Sequence, residues 1–480
     1  MTDDDRWRSP LGTRYASPAM QTLWGEPHRI ALWRRLWLAL AEAERELGLD
    51  IPDDALAQMR AHLDDADLAA AARFERRFRH DVMAHVHAFG EQAPAARPYL
   101  HLGATSAFVT DNADLVVIRE GLRLLLGRII AVLSALEGFA LRTASLPCLA
   151  YTHFQPAQLT TVGKRATLWM QDFALDAEEL CHRLETLRFR GCQGTTGTQA
   201  SFLELFAGDH GKVRELERRV TAKLGFSAQF AVTGQTYPRK TDSAVLDALS
   251  GIAQSASKMA GDLRLLQHEG ELLEPFESEQ VGSSAMAYKR NPMRAERIAG
   301  LARFVISLQA NGPHTAANQW LERTLDDSAN RRLTLPEAFL GADAILILAA
   351  NIAAGLEVRE DVIGRHVDEQ MPFMVTERCL MLGVGAGGDR QALHEVIRRH
   401  SLAVAEEVSR GGANTLLERL SGDPAFKRVP VEARRADLDP AAYTGRAPQQ
   451  VAEFIDEYLH PLFHRARPLA TEAGAAEVRV

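Results

Sequence analysis

Apolar positions recur along most of this chain at the spacing of an α-helix. After Pro27, the residues Ile30, Trp33, Trp37 and Leu40 fall on one helical face, and Gly48 stands where that helix should end. Leu115, Ile118, Leu122, Leu125, Ile129, Val132, Leu136 and Phe139 alternate spacings of three and four without a miss. This pattern predicts a helix of about thirty residues packed lengthwise against partners, with Asp111 as a plausible cap and Pro147 beyond its end. Gln155 to Arg190 reads as a second long helix, with Val162, Trp169, Phe173, Leu180, Leu184 and Leu187 on its apolar side. Ser243 to Glu271 and Pro292 to Leu308 read as two more. Neither short alternating strands nor a strand-helix alternation is found, so the pattern predicts an all-α bundle.

Proline and glycine divide the bundle. Residues 88–105, with Pro94, Pro98 and Gly103, separate an N-terminal helical region from the long helices, and a second change falls near Gly355 to Asp361. Domains are therefore expected at 1–106, 107–358 and 359–480. The 480 residues and an apolar share of 46% supply a large core. With 55 Lys and Arg against 63 Asp and Glu, the net charge of −8 argues against a nucleic-acid polymer or an anionic membrane as principal partner. It leaves room for a local basic pocket. The longest nearly apolar run, Ala344 to Leu356, is short of the ~20 residues that span a bilayer. The opening MTDDDRWRSP is acidic and has no apolar stretch, so no secretory or transit peptide is expected. Cys148, Cys181, Cys192 and Cys379 form no CxxC pair and read as reduced thiols in the cytoplasm.

Several segments could carry chemistry. Gly383 to Gly388 has the spacing of a dinucleotide-binding GxGxxG, but the residues before it look helical rather than strand-like, so a connection between helices is expected. His80, His85 and His87 with Asp81 lack the spacing of four that puts two metal ligands on one helical face. Gly191 to Gln199 is either an ordinary turn or a polar loop that offers amides and hydroxyls to an anion. The segment Gln280 to Met293 is the most informative. Gly282-Ser283-Ser284-Ala285 is small and flexible, whereas Asn291 and Pro292 suit a helix cap and first position, so a mobile serine pair is tethered beside Lys289 and Arg290. A basic surface loop would have the same composition. His153 stands in a polar turn before a long helix, where an imidazole can exchange protons near neutral pH or serve only the fold. Thr13 to Ser17, Arg79 to Asp81, Gly103 to Ser106 and Arg323 to Arg332 set arginines beside hydroxyls near expected helix ends. Such clusters suit phosphate or carboxylate recognition, or serve as caps and solvated surface.

Gly282-Ser-Ser-Ala-Met-Ala-Tyr-Lys-Arg-Asn-Pro292 resembles the signature loop of the fumarase/aspartase superfamily, helical lyases that release fumarate. The wider text is closer to the adenylosuccinate lyases within it. The likeness rests on RYAS (14–17), RHDVMAHVH (79–87), GATS (103–106), THFQPAQLTTVGKR (152–165), RFRGCQGTTGTQASF (188–202), TGQTYPRK (233–240), KRNPMRAER (289–297) and WLERTLDDSANRR (320–332). PFMVTE (372–377) and TGRAPQQV (444–451) carry it into the last region, so it covers residues 10–465.

The resemblance implies three helical domains and a homotetramer whose long central helices form a twenty-helix core, with each active site drawn from three chains. The eight-position seam fits that, as a stripe too long for one chain to bury. The implied reaction is a β-elimination: adenylosuccinate gives AMP and fumarate, and the succinyl-carboxamide ribotide of purine synthesis gives its carboxamide and fumarate. By motif position, Ser283 of the loop at about 276–292 is the base, His153 the acid, Glu296 the partner of His153, Lys289 a charge that stabilises the serine alkoxide, and His80 a second histidine near the phosphate. Arg14, Tyr15, Arg79, His80, Asp81, Arg323, Ser328 and Arg332 carry over to the nucleotide side. Thr105, Ser106, Thr152, Gln235, Lys289, Asn291 and Arg297 carry over to the succinyl side. No cofactor or metal is implied, and the expected partners are small nucleotides and further copies of the chain. The chain departs from the signature at Ala287, where proline is usual. The competing readings are another fumarate-releasing lyase, such as an argininosuccinate lyase or a 3-carboxymuconate cycloisomerase relative, and a helical scaffold without catalysis.

Overall fold

The computed structural model describes residues 6–427 and 439–472; the acidic residues 1–5, part of the case against a leader peptide, lie outside them. Helix α1 (Glu26–Glu46) buries Ile30, Trp33, Trp37 and Leu40. It ends as the sequence predicts, with Gly48 at φ 102° and the Leu49 amide donating to the Glu44 carbonyl at 3.1 Å. Helices α2 (Leu68–Phe78) and α3 (Asp81–Gln92) follow, joined by Arg79 in the left-handed conformation at φ 55°.

Helix α4 (Ser106–Arg142) opens the central bundle and is 37 residues long. All eight seam positions are at most 1% exposed. The seam is covered within one chain, by helices that come later, so it is not itself evidence of assembly. Asp111 does not cap α4. It lies in the second turn, buried, because its carboxylate has ion-pair partners there and Thr105 holds the cap position.

The reading of Gln155 to Arg190 as one helix is corrected. Strands β1 (Pro147–Thr152) and β2 (Gln155–Thr161) form an antiparallel hairpin, and helix α5 begins only afterwards (Val162–Thr186). The Thr161 hydroxyl accepts from the Lys164 amide and starts the helix there. After α6 (His210–Lys223), α7 (Lys240–His268) leads into the two-residue β3 (Leu272–Leu273), and α8 (Met293–Leu308) returns alongside α7. Helix α9 (Asp326–Gly355) ends at β4 (Glu357–Val358), which pairs with β3. The last region holds α10 (Glu360–Met374), α11 (Thr376–Gly385), α12 (Arg390–Ser409) and shorter turns. The run Gly383 to Gly388 lies at the end of α11 and in the turn to α12, a connection between helices as expected.

The fold is helical, with four short strands among the described residues. Helices α4, α5, α7, α8 and α9 pack lengthwise as five long rods. By length and composition α4 and α9 could each cross a membrane, which the longest apolar run did not foresee. Their most apolar windows are 61% and 72% buried against neighbouring helices, and Arg128 of α4 pairs with Asp343 of α9 at 3.2 Å inside the core. A second apolar cluster joins α1, α3 and the start of α4 to residues 189–237.

Candidate active site

A cleft of ≈ 680 Å³ opens where α3, α4, α7 and α9 have their N-terminal ends. That volume suits a nucleotide-sized ligand. Eight residues singled out from separate parts of the sequence line it: Arg79, His80, Asp81, Ser106, Gln235, Arg323, Ser328 and Arg332. His80 takes the cap position of α3, and its Nδ1 accepts from the Met83 amide at 3.4 Å. In the neutral ring the proton is therefore on Nε2, 3.3 Å from the Ser106 hydroxyl. Arg332 reaches Asp81 at 3.1 Å, and Gln235 is anchored through its backbone N–H to the Glu322 carbonyl at 2.9 Å and through its side-chain amide to the Thr195 carbonyl at 3.0 Å. His85 and His87 leave the cleft for aromatic neighbours, Trp33 and the Phe74 and Phe78 rings.

The floor of the cleft is an ion network that reading by motif had not singled out. Arg239 contacts both oxygens of Asp111 at 3.1 Å and Asp327 at 2.7 Å. Arg331 meets Asp242 at 2.6 Å and Asp114 at 2.9 Å, and the Tyr237 hydroxyl donates to Asp242 at 2.6 Å. Burial pushes the Asp111 carboxyl up, but the Arg239, Arg331 and Arg190 charges outweigh it and hold Asp111 below the usual carboxylate range. Asp114 goes the other way: burial raises it, Arg331 only partly offsets that, and the neighbouring carboxylates add to the rise. Tyr237 and Arg239 sit inside TGQTYPRK, and Asp327 and Arg331 inside TLDDSANRR, but Asp111, Asp114 and Asp242 lie outside both, and pairing over 88, 89, 128 and 217 positions carries no local signal.

The other candidates gather elsewhere. His153 and Phe154 form the two-residue tip of the β1–β2 hairpin, with φ of 52° and 57°. Both angles are left-handed, as a type I′ turn requires, and neither residue is the glycine or asparagine that turn prefers. The hairpin thus places the imidazole at an exposed tip, next to Thr152 at the strand end, at a cost in backbone strain. In the segment 274–292, the Ser283 hydroxyl oxygen accepts from the Met286 amide at 3.1 Å and the Ala285 amide at 3.4 Å. Two N–H groups aimed at one oxygen favour its alkoxide. Asn291 does not cap α8. Its amide donates to the Gly282 carbonyl at 2.7 Å and Pro292 holds the cap position, so Asn291 closes the loop on itself. A Cβ on Gly282 would meet the Lys289 carbonyl at 2.1 Å, which explains glycine there. Arg297 lies over the Tyr15 ring at 5.4 Å, and Arg14 is in the same N-terminal turn as Tyr15. Glu296 is exposed in the first turn of α8, and no hydrogen bond joins it to His153 within the chain.

Two half-sites thus occupy opposite ends of the bundle. Helix α7 starts beside Gln235 and Arg239 at the cleft and ends at the root of the serine loop, and its 29 residues span about 43 Å. Helix α4 likewise runs from Ser106 at the cleft to the hairpin.

Known proteins resemble the chain in sequence and in fold. The sequence profile described as "Lyase" matches residues 33–307, and that described as "Adenylosuccinate lyase C-terminus" matches residues 372–454. The chain is 50% identical to the adenylosuccinate lyase of Saccharomyces cerevisiae, over 95% of each chain, and 46% identical to that of Schizosaccharomyces pombe, over 98% of each. Among solved structures, a fumarate lyase from Mesorhizobium matches with a TM-score of 0.79 at 25% identity, over 92% of this chain and 98% of that one. A 3-carboxy-cis,cis-muconate lactonizing enzyme from Pseudomonas putida also scores 0.79, at 23% identity over 96% and 99%, and shares the fold. With relatives this similar over nearly the full length, and with profile matches in both the central and the last regions, the chain belongs to the adenylosuccinate lyase family.

Proposed function

We propose that this chain eliminates fumarate from adenylosuccinate to give AMP, and from succinyl-aminoimidazole-carboxamide ribotide to give the carboxamide ribotide, in purine nucleotide biosynthesis. The observation that carries the reading is the arginine- and hydroxyl-lined cleft, together with a serine oxygen held by two amides. Arg79, Arg323 and Arg332 offer guanidinium forks to a phosphate, with Ser106 and Ser328 as hydroxyl donors. The elimination needs a base for the carbon beside a carboxylate, an acid for the departing nitrogen, and fixed positive charge for the dianion between them. Ser283, as an alkoxide, takes the carbon-bound proton, with Lys289 as counter-charge. His153 protonates the leaving nitrogen, and His80 steadies the phosphate side. The step is redox-neutral and calls for no cofactor.

The half-sites, about 43 Å apart along α7, support a site completed between chains. So do exposed apolar side chains on the central helices. Leu168 and Leu175 lie seven residues apart on α5 and are 51% and 53% exposed, with Leu141, Leu265 and Ile306 also exposed on α4, α7 and α8. Five long helices per chain match a twenty-helix core in a homotetramer. The four buried thiols, with burial pushing Cys148 up to about 11, suit the cytoplasm.

The test is fumarate release, followed by absorbance, on adding adenylosuccinate, argininosuccinate or malate. Turnover of adenylosuccinate alone, abolished in Ser283→Ala with the fold intact, is the expected result. No response to adenylosuccinate, or full activity in Ser283→Ala, would refute the reading.

A further inference from the structure

Glu271 lies in the short link between α7 and β3, is 1% exposed, and contacts α10, the residue that caps it, and α5. Its backbone carbonyl accepts from the Arg359 amide at 2.9 Å, at the strand pair from which the serine loop departs. Its Oε1 is 2.9 Å from Nδ1 of His366 on α10, the helix that packs against both strands of the hairpin. Its Oε2 faces Nη1 of Arg165, on α5, at 3.9 Å. Arg165 in turn donates through Nη2 to the Leu149 carbonyl in β1 and lies over the Tyr151 ring at 6.0 Å. One buried residue therefore connects the root of the Ser283 loop, through its backbone, with the last helical region and, by way of Arg165, the strand that leads to His153, through its carboxylate.

The Arg165 contact is also unfinished. At 3.9 Å the pair is too long for a hydrogen bond, and both Glu271 Oε2 and Arg165 Nη1 are buried without a hydrogen-bond partner. Two complementary charged atoms left in this way gain a charge-assisted bond from a movement of roughly 1 Å.

We propose that Glu271 is a positioning residue for the elimination: with Arg165 it sets the hairpin that presents His153 against the root of the Ser283 loop, and it tightens on Arg165 when the loop orders. The proposal rests on the function proposed above for its catalytic consequence. Its structural core, the coupling of hairpin and loop, stands without that function.

The test uses the full-length protein and the variant Glu271→Gln, which keeps the shape and removes the charge. Hydrogen exchange of the substrate-free protein is expected to speed up together in residues 147–161 and 272–292, with residues 106–130 unchanged. Turnover of adenylosuccinate should fall about tenfold with KM within about twofold, the signature of misplaced catalytic groups rather than a lost substrate contact. Should Glu271→Gln fail to fold, Arg165→Gln, which leaves the His366 contact intact, must loosen the same two segments. Faster exchange confined to residues around 271, or unchanged turnover in both variants, would overturn the proposal. Inactivity of the unsubstituted protein would instead count against the function, while the exchange experiment still decides the coupling.

Discussion

Arg239 grips Asp111 through both terminal nitrogens of its guanidinium, at 3.1 Å each, wholly inside the protein. Its Nε holds Asp327 at the same time, so one cation ties the second turn of α4 to the first turn of α9 at the cleft floor. Arg239→Met removes the hydrogen-bonded cation from two buried carboxylates and should cost about 3–5 kcal/mol, because breaking such a pair leaves buried charge under-compensated. Calorimetry should show a markedly lower melting temperature; an unchanged one would mean that the network adds nothing.

His153 occupies a left-handed position that asparagine tolerates far better. The substitution His153→Asn should therefore raise stability by up to about 1 kcal/mol while lowering turnover by roughly 10²–10⁴, the usual contribution of a positioned acid. Denaturation and steady-state kinetics on one preparation check both signs, and retained activity would remove His153 from the chemistry.

The Lys289 amide donates to the Met286 carbonyl at 3.0 Å, which makes residues 286–289 a turn with Ala287 at its second position. Proline is favoured at that place, where its fixed φ is already suitable. Ala287→Pro should narrow the unbound loop and improve kcat/KM by roughly two- to fivefold, the equivalent of the entropy removed from a free segment. Identical kinetics would show that alanine leaves the loop no less ordered.

Glu44, on α1, is fully buried and neither carboxylate oxygen has a partner, so burial pushes it up to about 9. The raised value favours the protonated form in the folded chain. Its contribution to stability is complete below the ordinary carboxylate value near ~4.3 and is lost as pH rises toward about 9. Glu44→Gln removes this titration, so the variant should gain most over the unsubstituted protein at the alkaline end. Melting temperatures at several pH values test this, and parallel profiles would refute it.

Leu175 is 53% exposed on α5 in the single chain. If the exposed apolar face of α5 is covered by further copies, as proposed, Leu175→Glu should give smaller species than the unsubstituted protein in analytical ultracentrifugation and lower activity in proportion, while the far-ultraviolet circular dichroism stays the same. An intact assembly would place the interface elsewhere.

The long helices were legible because Leu115 to Phe139 repeat a helical period and neighbouring rods bury that face. The hairpin was not, because residues 155–161 carry no alternating apolar pattern, and a two-stranded element resting on α10 needs none. The cleft residues were legible by motif, but their gathering at one end of the bundle depends on helix lengths and directions. Asp111 shows the limit most clearly: four positions before a helical stripe it reads as a cap, and only Arg239, 128 residues away, reveals a buried ion pair.

If each site is completed between chains, as proposed, the separation of the half-sites along α7 has a genetic counterpart. A chain damaged at the hairpin still offers a sound cleft, and a chain damaged at the cleft still offers a sound hairpin and loop. Where two such chains co-assemble, some sites are built wholly from undamaged pieces, so two individually inactive alleles can complement each other, whereas two defects at the same end cannot.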